Sequence, residues 1–344
     1  MPSMRSARGL RRSMTTFVAG LGVLATAGPV AAHGAVNAEP PSAASLLLGW
    51  TFPPIPTLAI VVAAGCWLWA VRRVDAGHPG HRVPRRRMSA FLGALLALGL
   101  ALASGIERYD TTLFSVHMLQ HVLLVLVAAP LIAMAAPITL VLRLVSPAVR
   151  RRWILPILHS RVVRTLAFPV TAWVVFAGVM WGTHFSGLFD LALEEPLVHD
   201  LEHGLFLASG LLFWWPAVGV DPAPWRLSHP ARIGYVFLQM TQNTFLAVVL
   251  LNASTVLYPH YATLGRPYGV DPLADQRLAA GVMWIAGDGI FLAAIMILVA
   301  LWMRSEARGL ARADRQADLD LVRIRIRERR LAERLAEERG EPRT

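Results

Sequence analysis

The stretch that decides the fold is residues 113–135, LFSVHMLQHVLLVLVAAPLIAMA. It contains no Asp, Glu, Lys or Arg. At about 1.5 Å of rise per residue, a helix of this length crosses the roughly 30 Å hydrocarbon layer of a bilayer. Six further stretches share its character: 55–71, 89–106, 165–182, 197–217, 232–252 and 278–302. Of 344 residues, 55% are hydrophobic and 16% charged, and mean hydropathy is +0.50. A soluble domain carries about 25% charged residues, so an ordinary globular enzyme and a disordered scaffold are excluded. No ten-residue segments alternate with period two, which excludes a transmembrane barrel. The sequence predicts an all-α polytopic transmembrane helix bundle of seven spans.

The ends of the chain read differently. Residues 1–32 resemble a secretory signal, with Arg5, Arg8, Arg11 and Arg12 ahead of an apolar stretch and Val30-Ala31-Ala32 as a cleavage site. Cleavage there leaves His33 as the mature N-terminus; an uncleaved first span is the alternative. Residues 33–54 then form an extracytoplasmic segment, 55–302 the seven-span domain and 303–344 an Arg-rich cytoplasmic helical tail. The entry to the first span, Phe52-Pro53-Pro54-Ile55-Pro56, reads as stiff and non-helical. One cysteine, Cys66, excludes a disulfide framework.

All 33 basic residues are arginine, and net charge is +11. Loops 72–88 and 136–164 carry six Arg each, loop 218–232 two and the tail twelve; loops 107–112, 183–196 and 253–277 carry one, none and two. The positive-inside rule places the first set in the cytoplasm, the mature N-terminus outside and the C-terminus inside. Trp67, Trp69, Trp214, Trp215 and Trp302 then fall at inner span ends, where amphipathic rings prefer to lie. The tail carries an apolar stripe (Leu310, Ala317, Leu321, Ile324, Leu331, Leu335). It suits a membrane surface, a partner helix or plain solvation. Its nine acids offset twelve Arg, so no nucleic-acid partner is expected.

Orientation turns the histidines into a site. The third span contains His117-Met118-Leu119-Gln120-His121 and the fifth His199-Asp200-Leu201-Glu202-His203. Each pair is four residues apart, on one helix face. Both fall roughly 3–12 Å below the outer surface. Ionisable groups at that depth are costly and usually face the bundle interior for a functional reason. Four imidazoles at one level can converge on a single metal ion: His117, His121, His199 and His203. The alternatives are an interhelical hydrogen-bond network, a proton relay, or a bis-His haem, for which the pairs are too close in depth to hold two haems. Each motif reads His-x-x-(Gln/Glu)-His, then an apolar run, then Pro130 or Pro216, as a short internal repeat would.

The donor types narrow the metal. Imidazole suits Zn, Cu, Fe and Ni, while thioether favours Cu(I). Met118, Met180 and Met283 fall in the outer half, with Met180 one turn before His184. These residues and His33 are possible additional donors, so copper is favoured over zinc; gap filling is the ordinary role of such Met. Asp200, Glu202 and Gln120 are candidates to orient the imidazoles. The inverted zincin pattern His199-x-x-Glu202-His203 argues weakly for a metalloprotease, since a third ligand and substrate access would be needed. A deeper polar zone holds Asp288 between Gly287 and Gly289, with Gln239, Gln242 and Asn243 on the sixth span. It suits an ion route or, more simply, interhelical hydrogen bonding. The outer loop 253–277, with Tyr258, His260, Tyr261, Asp271, Asp275 and Gln276, is placed to cover the site. Imidazole ligation would make metal affinity fall below about pH 6.5.

These residues, with Ala129-Pro130-Leu131, Ala136-Pro137, Phe213-Trp214-Trp215-Pro216, Tyr258, Tyr261, Asp275-Gln276 and Trp284, resemble the seven-span CtaG family of caa-type cytochrome c oxidase assembly factors over about residues 45–303. The resemblance implies a bacterial cell-membrane protein that helps assemble terminal oxidase through its copper centres. Its partners would be oxidase subunits and membrane lipid, with no small-molecule substrate and no defined chemical reaction. The segment Phe185-Ser186-Gly187-Leu188-Phe189-Asp190, after His184, departs from the family pattern, and the long tail gains nothing from it.

Overall fold

The computed structural model describes residues 39–265 and 268–338; the expected signal segment and His33 lie outside them. Among the described residues every regular element is helical. The principal helices are α1 (Pro54–Gly77), α2 (Arg85–Ala103), α3 (Phe114–Val122), α4 (Ala129–Ala135), α5 (Pro137–Leu144), α6 (Pro169–His184), α7 (Leu188–Glu194), α8 (Pro196–Val218), α9 (His229–Leu251) and α10 (Pro272–Glu338). Five spans are long and apolar enough to cross a membrane: Pro54–Gly77, Arg85–Tyr109, Phe114–Leu144, His229–Leu251 and the first part of Pro272–Ala332. The pair α6 and α7, bent by 67°, counts as a sixth where the two are taken as one broken span. Helix α8 has 23 residues, but His199, Asp200, Glu202, His203 and Pro216 lower its hydropathy.

Several boundaries differ from the sequence reading, each for a local reason. Helix α1 starts at Pro54, inside the run expected to be non-helical. Its first-turn N–H groups have no intrahelical acceptor, so proline there costs nothing and presets φ. The fourth span starts at Pro169, not 165, because Arg161–Leu166 forms its own short helix and the residue before a proline resists helical geometry. The last span and the tail are one helix of 67 residues, and from Glu306 to Ala332 its side chains are exposed. Trp67 and Trp214, expected at inner span ends, are buried in the bundle. Trp67 stacks on Phe91, and Trp214 donates to the Val125 carbonyl at 2.9 Å.

The third span is the least regular. After α3 its backbone widens into a π-helical stretch, Leu123–Ala128, before α4. It breaks again at Ala136, whose φ is +60°. A non-glycine residue in that region is strained unless the surroundings fix it. Asp221, from the loop after α8, does so. Its carboxylate accepts from the Ile138 N–H (2.9 Å), the Thr139 N–H (2.7 Å) and the Thr139 hydroxyl (2.5 Å) at the start of α5. Helix α8 lies against the π stretch, and a Cβ on Gly210 would meet the Ala129 Cβ at 3.2 Å.

Candidate metal centre

The start of α3 sets the site. Leu113 at its N-cap offers no side-chain acceptor, and the exposed helix N–H groups need one. Asp275 of α10 supplies it. Its oxygens accept from the Phe114 N–H (2.7 Å), the Ser115 N–H (3.4 Å) and the Ser115 hydroxyl (2.5 Å). The outer loop closes over the same end. The Tyr261 hydroxyl donates to the Asp110 carbonyl at 2.7 Å, and His260 Nε2 donates to the Thr111 carbonyl at 3.0 Å. Tyr261 and His260 thus tie the outer loop to the segment just ahead of α3. Asp275, Gln276 and Asp271 bond backbone N–H groups of Phe114, Leu257 and Ala274.

Below this cover the two His-x-x-x-His motifs face each other. The His117 and His121 ring centroids are 4.3 Å apart, and those of His199 and His203 are 4.1 Å apart. Across the helices, His117 lies 5.4 Å from His199 and His121 lies 6.1 Å from His203. The fourth residue of each motif reaches across to the other helix. Gln120 Nε2 donates to the Ala101 carbonyl (2.9 Å) and to Glu107 (2.7 Å), which turns Gln120 Oε1 toward His203 Nε2 at 3.0 Å. An amide oxygen only accepts, so His203 carries its proton on Nε2 and its Nδ1 is the basic nitrogen. Glu202 Oε2 in turn lies 3.8 Å from His117 Nε2.

The result is two triads rather than one four-histidine ring. His117, His121 and Glu202 form one; His199, His203 and Asp110 form the other. Within each, one ligand atom per residue lies within 4.8 Å of the others. His199 Nε2 is 3.7 Å from Asp110 Oδ2. Glu202 thus stands among the candidate donors, not behind the imidazoles, while Gln120 keeps the orienting role. Asp200 belongs to neither triad; it is half-exposed and within electrostatic reach of Glu107. Asp110 and Glu107 were missed by sequence reasoning. The signal lay in the short loop 107–112, where two acids immediately precede the histidine helix.

All six triad residues are buried, and many of their polar atoms are unused. Both ring nitrogens of His117 and of His121, both oxygens of Glu202 and Asp110 Oδ2 have no hydrogen-bond partner. Leaving a buried polar atom unsatisfied costs about 1–3 kcal/mol. Several together rival the 5–15 kcal/mol net stability of a domain. A cation shared by imidazole and carboxylate removes that cost, so the residues present fit a metal. Burial and the nearby Glu107 push the Asp110 carboxyl well above its ordinary range.

The remaining candidates sort into two places. Met118, Met180, Met283 and His184 line one small cavity beside His121. Asp288 is bonded across helices, by the Asn243 amide (3.0 Å) and the Thr244 hydroxyl (2.5 Å), while Gln239 donates to Gln242. That is the interhelical reading. Gly287 allows it, since a Cβ there would come 2.8 Å from Asn243 Nδ2; Gly289 has no such neighbour.

Fold and site together define a membrane-helix protein with a buried histidine–carboxylate centre. Comparison with known families and proteins is consistent with that class. The chain belongs to the cytochrome c oxidase caa3 assembly factor family (Caa3_CtaG), which matches residues 65–305. It is 34% identical over 294 residues to uncharacterized proteins of Mycobacterium bovis and Mycobacterium tuberculosis, covering 82% of this chain and 43% of theirs. A Mycobacterium leprae protein is 32% identical over 288 residues, with 81% and 43% covered. The chain therefore spans less than half the length of these relatives. No solved structure matches it.

Proposed function

We propose that this chain is a non-catalytic assembly factor that binds copper at the histidine–carboxylate centre and presents it from the outer face to a cytochrome c oxidase subunit. The family supplies the oxidase. The observation that carries the metal is the set of unpartnered nitrogens and oxygens on His117, His121, Glu202 and Asp110, buried at one end of the bundle. Imidazole and carboxylate donors hold Cu²⁺ more strongly than Zn²⁺ in the first-row order.

This reading counts α8 as a span, giving seven, with the N-terminus outside and the C-terminus in the cytoplasm of a bacterial cell. His117, His121 and Glu202 would hold one ion and His199, His203 and Asp110 another, with Gln120 fixing the His203 tautomer. When bound, copper supplies no reaction here; it is cargo. Tyr261 and His260, bonded to the segment 110–111, keep water from the centre.

The test is made in cells lacking the gene and complemented with variants. Alanine at His117, His121, His199 and His203 should abolish assembled, copper-loaded oxidase while the variant protein stays in the membrane. Intact oxidase activity in that strain would reduce the protein to a scaffold without metal.

A further inference from the structure

Below the histidine centre lies a chemically different enclosure. Met118 of α3, Met180 of α6 and Met283 of α10 line it together with His121 and His184, and all five are at least nine-tenths buried. Its volume is about 20 Å³, the room one water-sized species needs. Methionine ordinarily fills gaps in an apolar bundle, and gap filling leaves no unused polar atoms. Here two imidazoles contribute such atoms. The His184 Nδ1–H donates to the Met180 carbonyl at 2.7 Å, which leaves the lone pair on Nε2, and that nitrogen has no hydrogen-bond partner. Both nitrogens of His121 are likewise unpartnered. The other polar lining groups, Gln239 and Asn243, are neutral amides.

Charge separates this enclosure from the triads above it. No lining residue is a carboxylate, so a divalent ion would sit there without a compensating anion, at high desolvation cost. A singly charged ion meets a much smaller penalty, and thioether with imidazole selects a soft one. We propose that Met118, Met180, Met283, His121 and His184 form a Cu(I) site, distinct from the histidine–carboxylate triads and sharing only His121 with them. This does not rest on metal in the triads, whose N and O donors suit a divalent ion. The adjoining π-helical stretch contributes Val125 and Leu126 to the wall; such widened turns recur at functional sites.

The test uses full-length protein purified in detergent. Cu(I) under reducing conditions, and Ag(I) as its redox-inert analogue, are titrated against a chromophoric competitor. Co²⁺ binding is followed separately as the reporter of the triads. Wild type should bind one equivalent of Cu(I) or Ag(I). X-ray absorption of that sample should show sulfur among the coordinating atoms. The triple variant Met118→Leu/Met180→Leu/Met283→Leu preserves volume closely; it should lose the monovalent equivalent and keep its Co²⁺ signal. Unchanged Cu(I) affinity in the triple variant, absence of monovalent binding in wild type, or a wild-type spectrum with nitrogen and oxygen alone would each overturn the proposal. The wild-type spectrum decides even if the variant does not fold. Absence of Co²⁺ binding with Ag(I) retained would leave this site standing and remove the triads alone.

Discussion

Asp275 of α10 and Asp110 of the loop before α3 both lie by the start of α3, both buried, and are used in opposite ways. Asp275 spends its carboxylate on two backbone N–H groups and a hydroxyl at the start of α3. Asp221 does the same for α5, and Asp288 is bonded by Asn243 and Thr244. Asp110 accepts one backbone N–H, from Thr111, on one oxygen, and its other oxygen faces His199 without a hydrogen bond. Glu202 has no hydrogen bond on either oxygen. The same chemical group is architecture where its lone pairs are consumed and a ligand candidate where they are left over. In a medium that cannot solvate them, leftover lone pairs call for a proton or a cation.

The contrast predicts effects of different kinds. The largest is on metal: His117→Ala with His203→Ala takes one ligand from each triad and should strip bound divalent metal from the purified protein, as read by mass spectrometry. Next, Asp275→Ala should destabilise the fold by about 3 kcal/mol, since several charge-assisted bonds and a helix cap are lost together. Thermal unfolding in detergent reads this directly. Glu202→Gln should do the reverse: metal retention falls, while the stability of the metal-free protein holds or rises, because a buried carboxyl without a hydrogen bond is gone. A large loss of metal-free stability in Glu202→Gln would place Glu202 with Asp275 and erase the distinction. Gln120→Leu removes the acceptor that orients His203, and metal affinity should fall about 10–100-fold. The smallest effect is expected from deleting the tail beyond Arg308. Its side chains are exposed as far as Ala332, so stability should change by no more than the few tenths of a kcal/mol typical of surface changes and metal content should hold.

Much of this was legible in the sequence, and the limits are physical. Apolar length marked the spans, and four-residue spacing put each histidine pair on one face, where the rings now stand. Matched depth brought the two pairs together. What spacing could not show was the partition of four rings into two triads, because that depends on Asp110, from a loop ahead of α3, and on Gln120 and Glu202 reaching across. The roles of Asp275 and Asp221 were hidden for a related reason: a carboxylate that caps a helix 160 or 82 residues away leaves no local pattern. The π-helical stretch escaped because Leu123–Ala128 is as apolar as its neighbours. The start of α1 was misjudged by treating proline as a helix breaker regardless of position.

Metal content of the detergent-purified full-length protein, from cells supplied with copper, bears on all of this at once. Wild type should carry copper, without a Soret band in its absorption spectrum, and the variant with alanine at His117, His121, His199 and His203 should carry none at the triads. Copper-free wild type, or a variant holding as much copper as wild type, would contradict the assignment.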